Sequence, residues 1–182
     1  DKEFSFRTQH IFGSDSLYST FNSVDGTVDR LGYYAYFNHR QTDGFRQANS
    51  DVDLFAGSLK LVLDADRDSR WVFNFDGYEE EHGEPGGLSL TAGPNYTVDR
   101  AATTRFFDRF RLERYFASLG WERDFSENTA LTVTGWGGYY SRFSKRQRGG
   151  GFGTLPEGAA AASNTIELRS EERRVGKECR SR

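Results

Sequence analysis

The feature that most constrains this chain is alternation. Seven stretches, each of roughly eight to fifteen residues, place apolar and polar side chains on opposite faces with a period of two. In "EFSFRTQHIF", Phe4, Phe6, Thr8, His10 and Phe12 share one face, and Glu3, Ser5, Arg7 and Gln9 share the other. "LYSTFNSV" is patterned more weakly. In "LGYYAYFNHR", Leu31, Tyr33, Ala35 and Phe37 oppose Tyr34, Tyr36, Asn38 and Arg40. Phe55, Leu59, Leu61 and Leu63 oppose Ser58 and Lys60, and Trp71, Phe73 and Phe75 oppose Val72, Asn74 and Asp76. Further on, Tyr115, Ala117, Leu119 and Trp121 oppose Phe116, Ser118, Gly120, Glu122 and Asp124. Leu131, Val133 and Tyr139 oppose Thr132, Thr134 and Trp136. A helix needs a period near 3.6, so this pattern predicts an all-β, antiparallel, up-and-down meander of about seven long strands.

Strand length narrows the class. Strands of globular proteins average about 5–6 residues, whereas a strand crossing a membrane at a tilt needs about 9–11. The connections narrow it further. "DGTVDR", "DADRDS" and "SEN" are short and polar. Of those between them, "QTDGFRQANSD", the segment from about His82 to Phe107 and "SKRQRGGGFGTLPEGAAAASN" are long, while "GSDS" is a tight turn. Membrane barrels segregate loop length by end in this way, with short turns on one side and long loops on the other. Phe12, Trp71, Trp121, Phe125, Tyr139 and Tyr140 stand near strand ends, where an interfacial aromatic girdle would lie. The same alternation would serve a lipocalin-like barrel, a sandwich, or a soluble or surface-exposed β-sheet binding module.

Composition fits a sheet with one apolar and one wet face. Hydrophobic residues are only 36% and mean hydropathy is −0.74, yet aromatics reach 15% and there are 20 glycines. Disorder would require few aromatics. No apolar run approaches the length of a transmembrane helix. The net charge of −3 understates the acidity of the body, because Arg169–Arg182 alone supplies Arg169, Arg173, Arg174, Lys177, Arg180 and Arg182. An acidic body excludes nucleic acid as a partner. The sole cysteine, Cys179, lies in that tail, so no disulfide framework or cysteine metal site exists. There is no nucleophile–base constellation, so no enzyme is expected. "GGGFG" and "GEPGGL" lack the strand-to-helix context of a phosphate loop. "EEEHGE" reads as a solvated charge run rather than a metal site, and no cofactor is expected.

"YYAYFNHRQTDGFR" resembles an early barrel hairpin of TonB-dependent outer-membrane receptors, where a strand ends in a T-D-G-[FY]-R loop entry. "FNFDGYEEEHGEPGGLS" and "ERYFASLGWERDFSENTALTVTGWGGYYSRF" resemble the strands that follow, most of all in receptors of the ferric-citrate type. The resemblance covers about Glu3 to Phe143. It implies an open fragment, strands one to seven, of a 22-stranded transmembrane β-barrel in the bacterial outer membrane. The N-terminal plug domain and the segment that contacts the TonB system would lie outside it, so the fragment should not function alone. The alternatives are a soluble or surface antiparallel β-sheet binding module, or another, porin-like, outer-membrane barrel. The family's role implies an iron chelate, such as ferric citrate or a siderophore, bound at extracellular loops and upper lumen walls, with a lipid bilayer on the apolar face. Anionic chelates suit arginine forks and aromatic walls. On that basis Arg40 and Arg46 near the second outward loop, and Tyr78, His82, Arg100, Arg105, Arg109 and Arg111 around the third, are the candidate ligand contacts.

Residues 169–182, "RSEERRVGKECRSR", break the pattern. A basic interaction tail and a solvated helix are both available readings. The peptide also resembles the translation of a short-read sequencing adapter beginning AGATCGGAAGAGCGT, in the frame Arg-Ser-Glu-Glu-Arg. Residues 1–168 are therefore expected to form the barrel segment, and 169–182 a non-native tail that packs against nothing.

Overall fold

A computed structural model describes residues 3–91 and 95–147, together with the backbone of 165–181. It forms one antiparallel sheet in strict sequence order: β1 (Ser5–Phe12), β2 (Tyr18–Val28), β3 (Leu31–Thr42), β4 (Val52–Asp64), β5 (Ser69–Gly83), β6 (Arg109–Ser126), β7 (Thr129–Gln147) and β8 (Thr165–Ser181). No helix occurs among the described residues. The meander and its faces follow the sequence pattern: the seven expected strands form β1 to β7, and β8 is added at the outer edge of β7.

The register extends the faces across the sheet. Tyr33 sits opposite Leu61, Leu61 opposite Phe73, and Phe73 opposite Leu119. The neighbouring row joins Leu31, Leu63, Trp71, Trp121 and Val133. Directly opposed residues point to the same side, so these rows make one continuous apolar face. Among the described residues nothing forms a second layer over that face: Leu119 is 48% exposed, Phe37 46% and Phe6 60%. The one buried hydrophobic residue among the described residues, Ala102, lies in a loop. An apolar sheet face of this extent, left bare, is a surface that needs lipid or another partner.

Aromatic rings bracket the apolar rows. At the short-turn end Trp71 and Trp121 stand 6.3 Å apart. At the other end Phe37 lies against Phe55, Phe55 stacks on His39 at 4.1 Å, and Tyr115 stacks on Tyr139. Of the expected girdle residues, Tyr140 belongs to the opposite, polar face, because it pairs in register with Arg114.

Two expectations are corrected. "DGTVDR" is not a turn: β2 continues to Val28 and only Asp29 and Arg30 turn. Asp-Gly is a strong hairpin signal, but here Gly26 serves packing. A Cβ on it would meet the Tyr33 hydroxyl at 2.6 Å, so the glycine makes room for a ring lying across it. Gly26→Val should displace that ring and cost about 1–3 kcal/mol, read as a lower urea midpoint of folded protein.

The tail also departs from expectation. Residues 165–181 pair with β7 along its length, from Gln147 opposite Thr165 to Leu131 opposite Ser181. The physical reason is backbone chemistry. The outer edge of β7 presents unpaired N–H and C=O groups, and a proline-free segment can satisfy them whatever its side chains. Its register is nonetheless unlike that of the other strands. Lys177 falls opposite Gly135, which is opposite Leu119, and Arg173 falls opposite Tyr139. β8 thus sets charged residue types into the apolar rows.

Candidate functional site

Loop lengths separate the two ends of the sheet. The turns at 29–30, 65–68 and 127–128 are short, and the connections at 43–51, 84–108 and 148–164 are long. The short end is tied by local polar contacts. Arg30 donates to the Ala65 carbonyl, and the Asp124 amide donates to Asp68. The Asp66 carboxyl is held below its ordinary pKa by the Ser69 hydroxyl, and next by the Asp68 amide. All of these groups are satisfied within the turn.

The long end carries the candidate site, on the polar face. Strand parity puts Tyr78, Glu80 and His82 of β5 on that face, beside Phe110, Leu112 and Arg114 of β6 and Tyr140, Arg142 and Ser144 of β7. Glu80 is a hub: the Tyr78 hydroxyl donates to it at 2.6 Å, and His82 Nδ1 lies 2.9 Å away. His82 stacks on Phe110 at 5.0 Å. Two guanidinium groups lie over rings of this group, Arg114 over Tyr78 at 5.7 Å and Arg142 over Phe110 at 5.1 Å. Both arginines are exposed. Neither makes a carboxylate ion pair among the described residues. A guanidinium held over a ring by cation–π attraction can still donate from its N–H groups, which is how such a site can recognise carboxylate or phosphate oxygens.

A second concavity of about 460 Å³ adjoins this group toward the middle of the sheet. It is lined by Asp76, Arg114, Phe116, Trp136 and Tyr140 over Gly138. Phe116 and Trp136 stack at 6.0 Å. A Cβ on Gly138 would press on Phe116 at 3.2 Å, so the glycine keeps the floor open.

The sequence-derived candidates divide into three sets. Tyr78 and His82 fall in the cluster. Arg40 lies on the same face, in the row of Leu54, Glu80, Leu112 and Arg142. Arg46, Arg100 and Arg105 are in the long loops, Arg46 donating to the Gly86 carbonyl, Arg100 over the Tyr96 ring and Arg105 donating to the Gln147 carbonyl. Arg109 and Arg111 point to the other face, where they are neutralised. Arg109 donates to Asp51 at 2.7 Å and to Glu81 at 2.9 Å, and Arg111 to Glu81 at 2.6 Å. Parity would have separated them, since 109 and 111 fall in step with Tyr115 and Leu119. The same count would have found Arg114 and Arg142, which fall in step with Ser118 and Trp136. Parity also splits "EEEHGE": Glu79 and Glu81 face one way and Glu80 and His82 the other.

No family model and no curated protein matches the chain. A solved structure does: the ferric citrate transporter FecA in its unliganded form, with 23% sequence identity and a TM-score of 0.64. The match covers 80% of this chain and 22% of that transporter's chain. It shows that the meander has the fold of a segment of that β-barrel.

Proposed function

We propose that this chain forms part of the wall of a TonB-dependent receptor in the bacterial outer membrane, which takes up an iron chelate such as ferric citrate or a siderophore. The observation that carries the proposal is the division of labour between the two faces. The bare face, banded by aromatics, suits lipid, and the other face suits an aqueous lumen. At the long-loop end of the lumen face, Arg114 and Arg142 make no carboxylate ion pair among the described residues. At the same level on the lipid face, Arg109 and Arg111 are consumed by carboxylates. A passage for an anion needs cationic donors inside and neutral pairs outside.

On this reading Arg114, Arg142 and Arg40 receive chelate carboxylates, while Tyr78, Phe110 and His82 form the wall that orients them. Arg46, Arg100 and Arg105 add positive charge from the loops. The plug domain and the TonB system would act on the whole receptor rather than on this segment. Strands beyond both edges would close the barrel, since lipid tolerates no open edge.

The test is equilibrium binding of iron(III) citrate and of a ferric siderophore to the intact receptor carrying these residues. Arg142→Gln and Arg114→Gln should each weaken binding of at least one of these chelates by about tenfold, the scale of a hydrogen bond to a charged group. Arg111→Gln should leave it unchanged. Equal losses from all three would show that the effect is net charge rather than a lumen site. Failure of every ferric chelate to bind would reject the transport reading.

A further inference from the structure

Among the described residues, the most buried polar side chains lie not in the sheet but where its long loops meet. Thr103 is 2% exposed and Thr104 4%, and Asp108 is buried beside them. Loop 43–51 lies directly against loop 84–108. The Gln47 amide donates to the Ala101 carbonyl at 2.6 Å, and the Gln47 side chain to Asp99 at 2.6 Å. Thr103 Oγ1 accepts from the Ala48 amide and donates to the Ala48 carbonyl.

Asn49 sits at the centre. Its backbone is left-handed, with φ of 55°. This turns the side-chain amide inward, where Nδ2 meets three carbonyl oxygens: Glu84 at 3.2 Å, Arg105 at 2.9 Å and Asp108 at 2.8 Å. Those acceptors come from both roots of loop 84–108. Gly83 makes the approach possible, because a Cβ there would meet the Asn49 backbone at 2.5 Å. Asp108 passes the connection on. Its carbonyl also accepts from the Glu84 amide, its carboxylate accepts from the Gln147 amide at the end of β7, and Arg146 reaches both Asp108 and Glu84.

We infer that Asn49 is the keystone of a latch that makes loop 43–51, the two roots of loop 84–108 and the outer end of β7 a single rigid body, and that it is a positioning residue for the anion site it does not touch. Three carbonyls converging from two chain segments would repel one another without a donor between them. The two N–H donors of one side-chain amide lie within hydrogen-bond reach of all three. Arg146 and Thr104 also join the two roots, but among the described residues Asn49 is the side chain of loop 43–51 that bonds to both. Arg46 and Arg105 are anchored within this body, one to Gly86 and the other to Gln147. Ligand-driven closure would therefore move the two loops together or not at all. The positioning role rests on the proposed chelate site; the latch does not.

The test uses the intact receptor with two variants. Asn49→Gly keeps the left-handed backbone and removes only the donor. Gly83→Ala keeps the donor and forces the loop away. Thr97→Val, which removes a bond inside the long loop, is the control. Correct folding is checked for each by heat-modifiable mobility on gels. Amide hydrogen exchange of Ala102–Asp108 should rise about tenfold in both variants and stay unchanged in the control. Affinity for iron(III) citrate, or for whichever ferric chelate the unaltered receptor binds, should fall about threefold to tenfold in parallel. Unchanged exchange in Asn49→Gly would overturn the latch. Raised exchange with unchanged affinity would overturn the positioning role alone. If the unaltered receptor binds no chelate, the uptake reading fails, and exchange still decides the latch.

Discussion

Leu119→Arg is expected to abolish insertion of the folded protein into a bilayer, while Ser118→Arg, one residue earlier, is tolerated. Leu119 lies in the row of Tyr33, Leu61, Phe73 and Gly135, between the tryptophan pair at one end and the tyrosine pair at the other. A charged side chain at the lipid-facing midplane of a barrel costs about 2–4 kcal/mol, comparable to much of a domain's net stability. Ser118 shares its row with Asn74 and Trp136 on the wet face, where an arginine keeps its water. The comparison is made in a chimera in which residues 3–147 replace the matching segment of the ferric citrate transporter. Urea titration in vesicles reads the difference. If the two arginines cost the same, the sheet has no lipid side.

Extending that chimera to Ser181, so that residues 165–181 stand in for the next native strand, is expected to be nearly as damaging. The backbone can pair, but Lys177 enters the row of Leu119, and Arg173 the row of Tyr115 and Tyr139. The lysine row costs about 2–4 kcal/mol, and the arginine row less because it lies nearer the rim. Lys177→Leu should recover most of the loss, and adding Arg173→Leu should recover more. This outcome would fit a terminal segment whose pairing is generic edge capture rather than a barrel strand shaped by lipid. If the extended chimera inserts as well as its parent, and Lys177→Leu changes nothing, β8 is a tolerated barrel strand.

These expectations show where sequence pattern suffices. The faces of β3 to β7 were legible because successive residues alternate between the apolar and the polar face, and a slip of one position would invert the face. Loop alternation was legible for the same reason, since short polar turns cannot be confused with long glycine-rich connections. The end of β2 was not, because Asp-Gly normally turns a chain and only the ring of Tyr33, from the next strand, explains Gly26. The pairing of 165–181 was hidden because edge capture depends on backbone groups common to every sequence. Of the candidate contacts, Tyr78 and His82 fall in the polar-face cluster. Arg114 and Arg142 lie in the same cluster but were not among the candidates, because loops were favoured over strands as a source of ligands. Arg109 and Arg111 fall on the other face, where they pair with carboxylates. The latch could not be read at all: Asn49 is one asparagine in a polar loop until three distant carbonyls close around it.

The most direct test of the two-faced sheet uses the three tryptophans already present. Trp71 and Trp121 stand on the apolar face and Trp136 on the polar one. Single-tryptophan versions of residues 3–147, in a chimera with its other tryptophans replaced, are folded into vesicles of brominated lipid. The fluorescence of Trp71 and Trp121 should be strongly quenched relative to unbrominated lipid, and that of Trp136 should not. Equal quenching at all three positions, or quenching of Trp136 alone, would contradict a membrane-barrel wall with its lumen on the side of Arg114 and Arg142.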